Sequence, residues 1–232
     1  NLLGQCSNEE LQLLISILTT DPRDGDTRWT ESLTGTPEFR LLAPDHRRYW
    51  QLIAAELQRY GANTLASLVR LGQGVTYREI LVDVCDKLDV NYNQKSTTET
   101  IELALLMKVL EKSLDQMSPE ELAAFSHNMH LDLTNPTPQL ILIAVQAAIR
   151  TSSLAALELA TMLSASVITS LGGIATWGTV VVASRALSVL AGPLAIALSS
   201  AWMISDITGP AYRVTIPACI IVSWLRQQHL SR

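Results

Sequence analysis

Cysteine is scarce in this chain of 232 residues, and the cysteine pattern excludes a scaffold built on cross-links. The three cysteines, Cys6, Cys85 and Cys219, are odd in number, far apart and outside any CxxC or Cys/His spacing. They predict reduced, mostly buried thiols, which favours folding in the cytosol. The chain is long enough to bury a hydrophobic core without disulfides or structural metals.

Clustered positive charge is also lacking. The net charge is −5, and the one dibasic pair, Arg47 and Arg48, is small. Nucleic-acid binding needs several Lys and Arg side chains close together, because they displace the counterions of the phosphates. We therefore expect no nucleic-acid partner.

Charge of either sign is rare in the second part of the chain. Residues 1–132 hold 12 basic and 20 acidic side chains, whereas residues 133–232 hold five and two, so the net charges are −8 and +3. This asymmetry predicts two regions in different surroundings, the second buried in its own core, in a partner or in a membrane. The charges inside the apolar stretch are candidate membrane or structural charges: Arg150, Glu158, Arg185 and Asp206.

Two interpretations of these four charges remain open, since buried charges are usually paired or functional. In one, they form ion pairs with the charged N-terminal helices. In the other, they act in membrane insertion or gating. Arg150 and Glu158 are eight residues apart, or about two helical turns, so both are expected to face the same neighbour.

Recognisable catalytic patterns are absent from the sequence, which contains no GxSxG, HExxH, GxGxxG or Walker glycine loop. His127 and His130 share a helix face by their spacing, and Asp132 follows, but a metal site needs further ligands in defined positions. We interpret the pair as a solvated helix end. The protein is therefore predicted not to be an enzyme, and no catalytic residue, metal or cofactor is expected.

Helix-start signals recur through the first 132 residues. A Ser or Thr followed three residues later by Glu predicts a capping box, in which each side chain accepts a hydrogen bond from the other residue's backbone. Apolar residues at helical spacing follow these signals, and no sustained period-two alternation occurs. The sequence thus predicts an all-α, multi-helix bundle in which charged amphipathic N-terminal helices pack with an apolar C-terminal helical module. The four boxes are Ser7 with Glu10, Thr76 with Glu79, Ser96 with Glu99, and Ser118 with Glu121.

Glycines and prolines predict where helices are interrupted. Residues 21–45 are expected to form a loop with at most one short helix near Arg28–Leu33. Asp45 is expected to cap a helix that stops at Gly61. A further short helix is expected from residue 63 to the glycines at 72–74.

The clearest boundary is Asn135–Pro138, because two prolines two residues apart do not fit inside a helix. It predicts a charged helical module at residues 1–134 and an apolar helical module at residues 139–232. Within the second module, Thr215 and Pro217 are predicted to open the last helix.

The apolar module contains two long uncharged runs, residues 159–184 and 186–205. Both are long enough to span a bilayer, since about 20 helical residues cross the roughly 30 Å hydrocarbon layer. Many Ser and Thr residues make the first run only marginally apolar enough for a membrane span. Gly192 and Pro193 interrupt the second run and weaken it as a span in the same way. Because only Arg185 separates the runs, a compact core at rest is favoured over a permanent two-span anchor.

Three stretches of the chain resemble a known bacterial family. They run from His46 to Gln58, from Tyr77 to Val84 and from Gly209 to Ala218. Together with the start at Cys6–Leu11, which resembles a short N-terminal domain of such proteins, they make the chain similar to the uncharacterised YaaW-like family. The residues that carry the resemblance are His46, Arg47, Arg48, Trp50, Glu56, Tyr77, Arg78, Glu79, Asp83, Tyr212, Arg213 and Pro217.

This resemblance implies a bacterial protein, and no catalytic residues come with the family. The family is linked distantly to ubiquinol-cytochrome c chaperones, which are assembly factors for a respiratory membrane complex. Residues 150–205 are more apolar than the family leads us to expect.

Two functions are therefore expected as alternatives. In the first, the protein is membrane-active, pore-forming or effector-like, and its apolar C-terminal helices insert conditionally into a bilayer when acid weakens the repulsion between the acidic module and anionic headgroups. In the second, it is a soluble protein-binding assembly factor or chaperone-like adaptor with the same helices as ordinary core. The expected partners are a lipid bilayer or a protein, a homo-oligomer being left open. The expected location is the bacterial cytoplasm, with peripheral or conditional inner-membrane association.

Overall fold

The computed structural model describes residues 2–21, 25–64, 75–131, 133–170 and 211–232, without the side chains of residues 63, 64, 169 and 170. Regular structure in these ranges is helical, and the predicted all-α, multi-helix fold is confirmed. The described helices are α1 (Asn8–Thr19), α2 (Pro37–Leu42), α3 (Trp50–Thr64), α4 (Tyr77–Lys87), α5 (Thr98–Leu114), α6 (Pro119–Asn128), α7 (Pro138–Thr151), α8 (Ser153–Ser170), α9 (Tyr212–Leu230) and the short 3-10 helices η1 (Leu3–Gln5) and η2 (His46–Tyr49).

Three of the four predicted capping boxes form. At the start of α1, the Ser7 hydroxyl accepts a hydrogen bond from the Glu10 N–H at 3.2 Å, and the Glu10 carboxylate accepts one from the Ser7 N–H at 2.7 Å. Such starts are decided locally, because both partners lie within four residues. The same reciprocal pairs cap α4 (Thr76 with Glu79) and α6 (Ser118 with Glu121).

The fourth predicted box, Ser96 with Glu99, is wrong. Helix α5 is capped one residue later by Thr97, whose hydroxyl accepts a hydrogen bond from the Thr100 N–H at 3.3 Å. The Ser96 N–H is bonded instead to the Asn93 carbonyl at 2.9 Å. Thr97 follows Ser96 and is also a residue type that caps helices, although Thr100 and not Glu stands three residues after it, and the preceding turn uses Ser96.

The short helix predicted near Arg28–Leu33 is also wrong, since the structure places a short helix, α2, further along the chain. Its start is set by the Thr36 hydroxyl, which accepts a hydrogen bond from the Phe39 N–H at 3.2 Å, and by a proline at the first helical position. The predicted segment instead lies beside the end of α1, because the Arg28 N–H donates to the Thr19 carbonyl at 2.7 Å.

Helix α3 starts and ends later than predicted. Asp45 makes no side-chain cap, and η2 precedes the helix. Gly61, the predicted stop, lies inside α3, where an added Cβ would come within 2.4 Å of the Ile80 side chain. Glycine is therefore needed for the close approach of α3 and α4 rather than for a helix end. The helix predicted at residues 63–74 lies outside the described residues, apart from its first two, which belong to α3.

Helix α9 begins at Tyr212, so the predicted start at Thr215 and Pro217 is wrong. Pro217 lies inside the helix, where a proline removes one backbone hydrogen bond and costs about 3 kcal/mol. Burial offsets this cost, because every residue from Val214 to Leu225 is buried. A helix that is buried on all sides belongs to the centre of a fold.

The surroundings of α9 show how the described parts of the chain are joined. This helix packs against α1, α3, α4, α5 and α8. One hydrophobic cluster contains side chains from both sides of Asn135–Pro138, and it includes the three cysteines, which are buried free thiols as predicted. The division into two modules at that boundary stays a prediction, although α7 does begin at Pro138.

The first residues of the uncharged run 159–184 lie in α8 and pack against α9. The Ser164 hydroxyl donates to the Ile220 carbonyl at 3.4 Å, and the Trp224 indole donates to the Thr161 hydroxyl at 3.1 Å. Polar residues that make this run marginal for a membrane therefore serve the contact between two core helices.

Membrane-spanning segments were expected as one alternative for the two uncharged runs. Among the described helices, none combines the length and the apolar character that a span requires. Residues 171–205, which hold most of both runs and Arg185, lie outside the described residues, as does Asp206.

Candidate functional site

The residues that carry the family resemblance join separate elements of the fold. His46 is buried in η2, where its Nε2 lies 2.7 Å from the Gln12 Oε1 of α1 and its Nδ1 is hydrogen-bonded to the Tyr49 hydroxyl. Burial lowers the pKa of His46, so the imidazole is neutral at neutral pH. Arg47 and Arg48, which follow it, are exposed.

Glu56 of α3 anchors the loop that precedes α2. Its carboxylate is 3% exposed and accepts hydrogen bonds from the Ser32 N–H at 3.0 Å and the Ser32 hydroxyl at 2.8 Å. Arg59, one turn later, donates to the same carboxylate. Trp50 covers Gly4, where an added Cβ would lie 3.2 Å from the indole ring. Both motif residues thus hold neighbouring segments in place.

The second and third resemblance stretches meet where α4 contacts the start of α9. The Tyr212 hydroxyl donates to the Asp83 carboxylate at 3.1 Å, and burial raises the pKa of Tyr212 to about 12. Arg78 holds the segment before α5 by donating to the carbonyls of Gln94 and Ser96 at 2.7 Å and 2.8 Å. The remaining motif residues are Glu79, in the cap of α4, Arg213, half-buried in α9, and Pro217, buried in α9.

A charge network lies inside the fold between α4, α5 and α9. Glu102 of α5 is 0% exposed and accepts a hydrogen bond from the Arg226 Nε of α9 at 2.6 Å. The Arg226 Nη1 lies 3.5 Å from the Glu99 carboxylate, and the guanidinium carbon lies 6.0 Å from the centre of the Tyr77 ring. We call Tyr77, Glu99, Glu102 and Arg226 the Arg226 network.

Burial dominates the electrostatics of the Arg226 network. It raises the pKa of the Glu102 carboxyl, although the hydrogen bond from Arg226 acts in the opposite direction. It also raises the pKa of Tyr77 well above its ordinary value, so the phenol stays protonated. The Tyr77 hydroxyl faces the Glu102 carboxylate, and the interaction between them lowers the pKa of Glu102 while raising that of Tyr77. The pair with Arg226 is the main interaction that offsets the burial of Glu102, and Tyr77 adds to it.

A cavity of about 510 Å³ opens beside this network, between η1, α3, α4 and α9. Arg226 and Tyr77 line it, together with the amides of Gln51 and Gln58. Its apolar walls include Leu3, Trp50, Leu57, Ile80 and Val222.

Glu102 and Arg226 were not among the residues that the sequence singled out. The signal was a charge beside core positions, since Glu102 follows Ile101 and Arg226 follows Leu225, both fully or almost fully buried. A buried charge calls for a partner, but the partner is 124 residues away. Only the fold brings the two side chains together.

The two candidate ligands His127 and His130 do not share a helix face as expected. His127 lies in α6, whereas His130 lies beyond its end in the left-handed region, with a φ of 52°. Asp132 lies outside the described residues. In the part of the chain that the structure describes, no three potential metal ligands come together.

The outer face of α7 exposes apolar side chains. Leu140 and Ile143 are 46% and 62% exposed, and Leu154, in the first turn of α8, is 60% exposed. Ala147 is exposed as well, and spacings of three and four place it on the same face as Leu140 and Ile143. We call Leu140, Ile143, Ala147 and Leu154 the α7 strip.

Arg150 and Glu158 are both exposed, but they lie on different helices. Helix α7 ends where Ser152 takes an extended backbone, so the two charges do not face one neighbour along a single helix, as their spacing suggested. Residues 138–157 include Arg150 and contain no carboxylate side chain. The α7 strip therefore has a basic residue after Ala147, and the acidic Glu158 lies four residues after Leu154 on α8.

Comparison with known proteins gives relatives over nearly the whole chain. A family model described as "Domain of unknown function (DUF3944)" matches residues 1–29. A UPF0174 protein of Helicobacter pylori is 40% identical over 97% of this chain and 88% of that protein, and another is 35% identical over 85% and 97%. The UPF0174 protein YaaW of Escherichia coli K12 is 30% identical over 98% and 92%. No solved structure matches the chain. The resemblance to the YaaW-like family is thus confirmed.

Proposed function

The chain belongs to the UPF0174 family, and we propose that it is a membrane-associated helical protein that binds bilayer surfaces through the outer face of α7. The proposal depends on one observation, the exposure of Leu140, Ile143 and Arg150 on a helix whose other face is packed in the core, with the exposed Leu154 following at the start of α8. An amphipathic helix of this kind lies in the plane of a membrane with its apolar face among the lipids.

The expected strength of this binding is modest. Complete burial of a Leu or Ile side chain contributes roughly 1.5–3 kcal/mol, and the strip offers three such side chains that are already partly covered. One basic residue near an anionic surface adds about 1 kcal/mol. These contributions favour weak, reversible binding that depends on anionic lipid.

The acidic N-terminal stretch opposes this binding at neutral pH. Residues 1–132 carry a net charge of −8, which anionic headgroups repel. Carboxylates titrate mainly around pH 4, so acid weakens the repulsion. Stronger binding in acid is therefore expected.

Conditional insertion is a second step of the proposal. Helix α8 packs against α9, so insertion requires these two helices to separate and exchange their mutual contacts for lipid. Lipid would favour the separated state by a shift of population. Release of a trapped dye is the expected sign of this step, whereas surface binding alone leaves the vesicles sealed.

Flotation with anionic vesicles that carry a trapped dye tests the proposal at about pH 7 and about pH 3.5, on either side of most of the carboxylate titration. The full chain is expected to float with these vesicles, more completely in acid, and much less with zwitterionic vesicles. The double variant Leu140→Gln/Ile143→Gln is expected to lose most of this binding.

Leu41→Gln is the matched control, because Leu41 is 81% exposed on α2, outside the strip. It should float like the unchanged chain. A chain that stays at the bottom at both pH values, or a double variant that floats as well as the control, would contradict the proposal. Flotation without dye release would contradict the insertion step but not the binding of the bilayer surface.

A protein-binding role as an assembly factor or chaperone-like adaptor is the second candidate. A groove of about 630 Å³ between α5 and α7 favours it, because apolar grooves with charged rims accept amphipathic helices. A photo-crosslinker at Ile149 should then give one discrete product in a bacterial lysate, and Met107→Glu should abolish it. The groove is lined by Leu103, Met107, Leu142 and Ile149, with Lys108 and Arg150 at its rim.

A further inference from the structure

The cavity beside the Arg226 network has the dimensions and the lining of a small-molecule site. Its volume of about 510 Å³ lies within the range of ligand pockets, which are mostly apolar with a few placed polar groups. Trp50, Leu57 and Val222 supply apolar surface from α3 and α9. Arg226 and the amides of Gln51 and Gln58 supply the polar groups.

Arg226 is held in one orientation by the fold. Its Nε–H is used by the buried Glu102 carboxylate, and its Nη1 faces Glu99 at 3.5 Å. The side chain is still 20% exposed and lines the cavity. A guanidinium has five N–H donors, so donors remain for a group inside the cavity. The network thus offers a positioned hydrogen-bond donor at the end of an apolar space.

The charge balance of the network selects the kind of ligand. Two carboxylates, those of Glu99 and Glu102, lie beside the single positive charge of Arg226. An anionic group in the cavity would gain attraction from the arginine and meet repulsion from both carboxylates. An uncharged oxygen acceptor keeps the hydrogen bond without this repulsion.

We propose that the cavity binds an uncharged amphipathic small molecule, with an apolar body against Trp50, Leu57 and Val222 and a carbonyl or hydroxyl oxygen that accepts a hydrogen bond from Arg226. This site is separate from the α7 strip, which contributes no residue to the cavity.

Equilibrium dialysis of the purified full chain with monodecanoylglycerol, below its micelle concentration, tests the proposal. Saturable binding at one site is expected, with a change in Trp50 fluorescence that Trp50→Phe removes. Decanoate, which shares the chain but carries a charge, is expected to bind at least about tenfold more weakly, a difference of 1.4 kcal/mol.

A pair of adjacent alanines provides the matched variants. Ala54 lines the cavity, whereas Ala55 is exposed and outside it. Ala54→Phe fills the space and is expected to weaken binding at least about tenfold, and Ala55→Phe should leave it unchanged. Neither variant touches the charges, so the test does not depend on variants of Arg226 that fail to fold.

Three results would overturn the proposal: no saturable binding by the full chain, equal binding by Ala54→Phe and Ala55→Phe, or decanoate binding as tight as the ester. The variant Leu140→Gln/Ile143→Gln should keep its affinity for monodecanoylglycerol while losing its affinity for vesicles. A parallel loss of both would show that the probe reports the α7 strip and not the cavity.

Discussion

Helices α7 and α9 both belong to the sparsely charged part of the chain, yet they occupy opposite environments. Helix α9 is buried from Val214 to Leu225 and lies among five other described helices. Helix α7 buries Ile141 and Val145 fully and leaves Leu140 and Ile143 exposed. Apolar composition therefore indicates that a helix has surface to cover, but it does not indicate whether the chain itself covers that surface.

The largest difference between the two helices is expected for their arginines. Arg226→Ala leaves the Glu102 carboxylate buried without its partner, and the free energy of unfolding is expected to fall by about 3–5 kcal/mol. Arg150→Ala removes an exposed charge from α7 and is expected to change it by less than about 0.5 kcal/mol. Urea denaturation of both variants measures the difference, and equal losses would contradict a buried Arg226–Glu102 pair.

The next largest difference in stability is expected between a buried isoleucine of α9 and an exposed isoleucine of α7. Ile220 of α9 is 0% exposed, and Ile220→Ala is expected to lower the free energy of unfolding by about 2–5 kcal/mol, because it leaves a cavity among packed side chains. Ile143→Ala should cost less than about 0.5 kcal/mol, since its side chain lies in solvent. The same denaturation measurement tests both, and a large loss at Ile143 would mean that the outer face of α7 is covered.

The pH dependence of stability should also distinguish the helices, because the α9 partner Glu102 is a buried carboxyl and α7 has none. Burial raises the pKa of Glu102 in the folded protein above its unfolded value. The folded state then binds a proton more tightly, so this group adds stability as the pH falls through its folded pKa. The difference in unfolding free energy, wild type minus Glu102→Gln, should increase as the pH falls from neutral. A series of urea denaturations checks the direction, and a decrease would contradict it.

The smallest expected difference concerns the helix starts. The Thr137 hydroxyl caps α7 by accepting a hydrogen bond from the Leu140 N–H at 3.3 Å, and Thr137→Ala should lower stability by about 1 kcal/mol. Helix α9 has no side-chain cap, and Ala211 already has a helical backbone. Ala211→Ser should therefore raise the free energy of unfolding by less than about 0.5 kcal/mol. Thermal unfolding of both variants measures the effect, and a clear gain for Ala211→Ser would show that a local cap is missing there.

Local rules predicted the helix starts where one hydroxyl residue stood alone. Ser7, Thr76 and Ser118 each cap the expected helix, because their partners lie three residues away. The rule failed at Ser96, because the turn at Asn93 uses its backbone N–H and the neighbouring Thr97 caps the helix without a Glu partner. It failed again at Pro217, because burial along α9 outweighs the break that proline favours.

The candidate sites were predicted less completely. The resemblance identified Tyr77 and Tyr212, but Glu102 and Arg226 carried no signal beyond a charge beside core positions. Their pairing spans 124 residues, and the cavity is bounded by four elements that are distant in sequence. No local pattern records which helices meet.

The sequence alone determined that this protein is all-α, that most of its described helices start at capping residues, and that its charge is concentrated in the first 132 residues. These properties depend on side chains and backbone groups a few residues apart, or on composition alone. Only the tertiary structure decided that α9 occupies the core, that Gly61 serves the contact with Ile80, and that Arg226 meets Glu102. Each of these depends on surfaces that come together after the chain has folded, and the free energy of packing them exceeds the local preferences that would have placed Gly61 and Pro217 at helix ends.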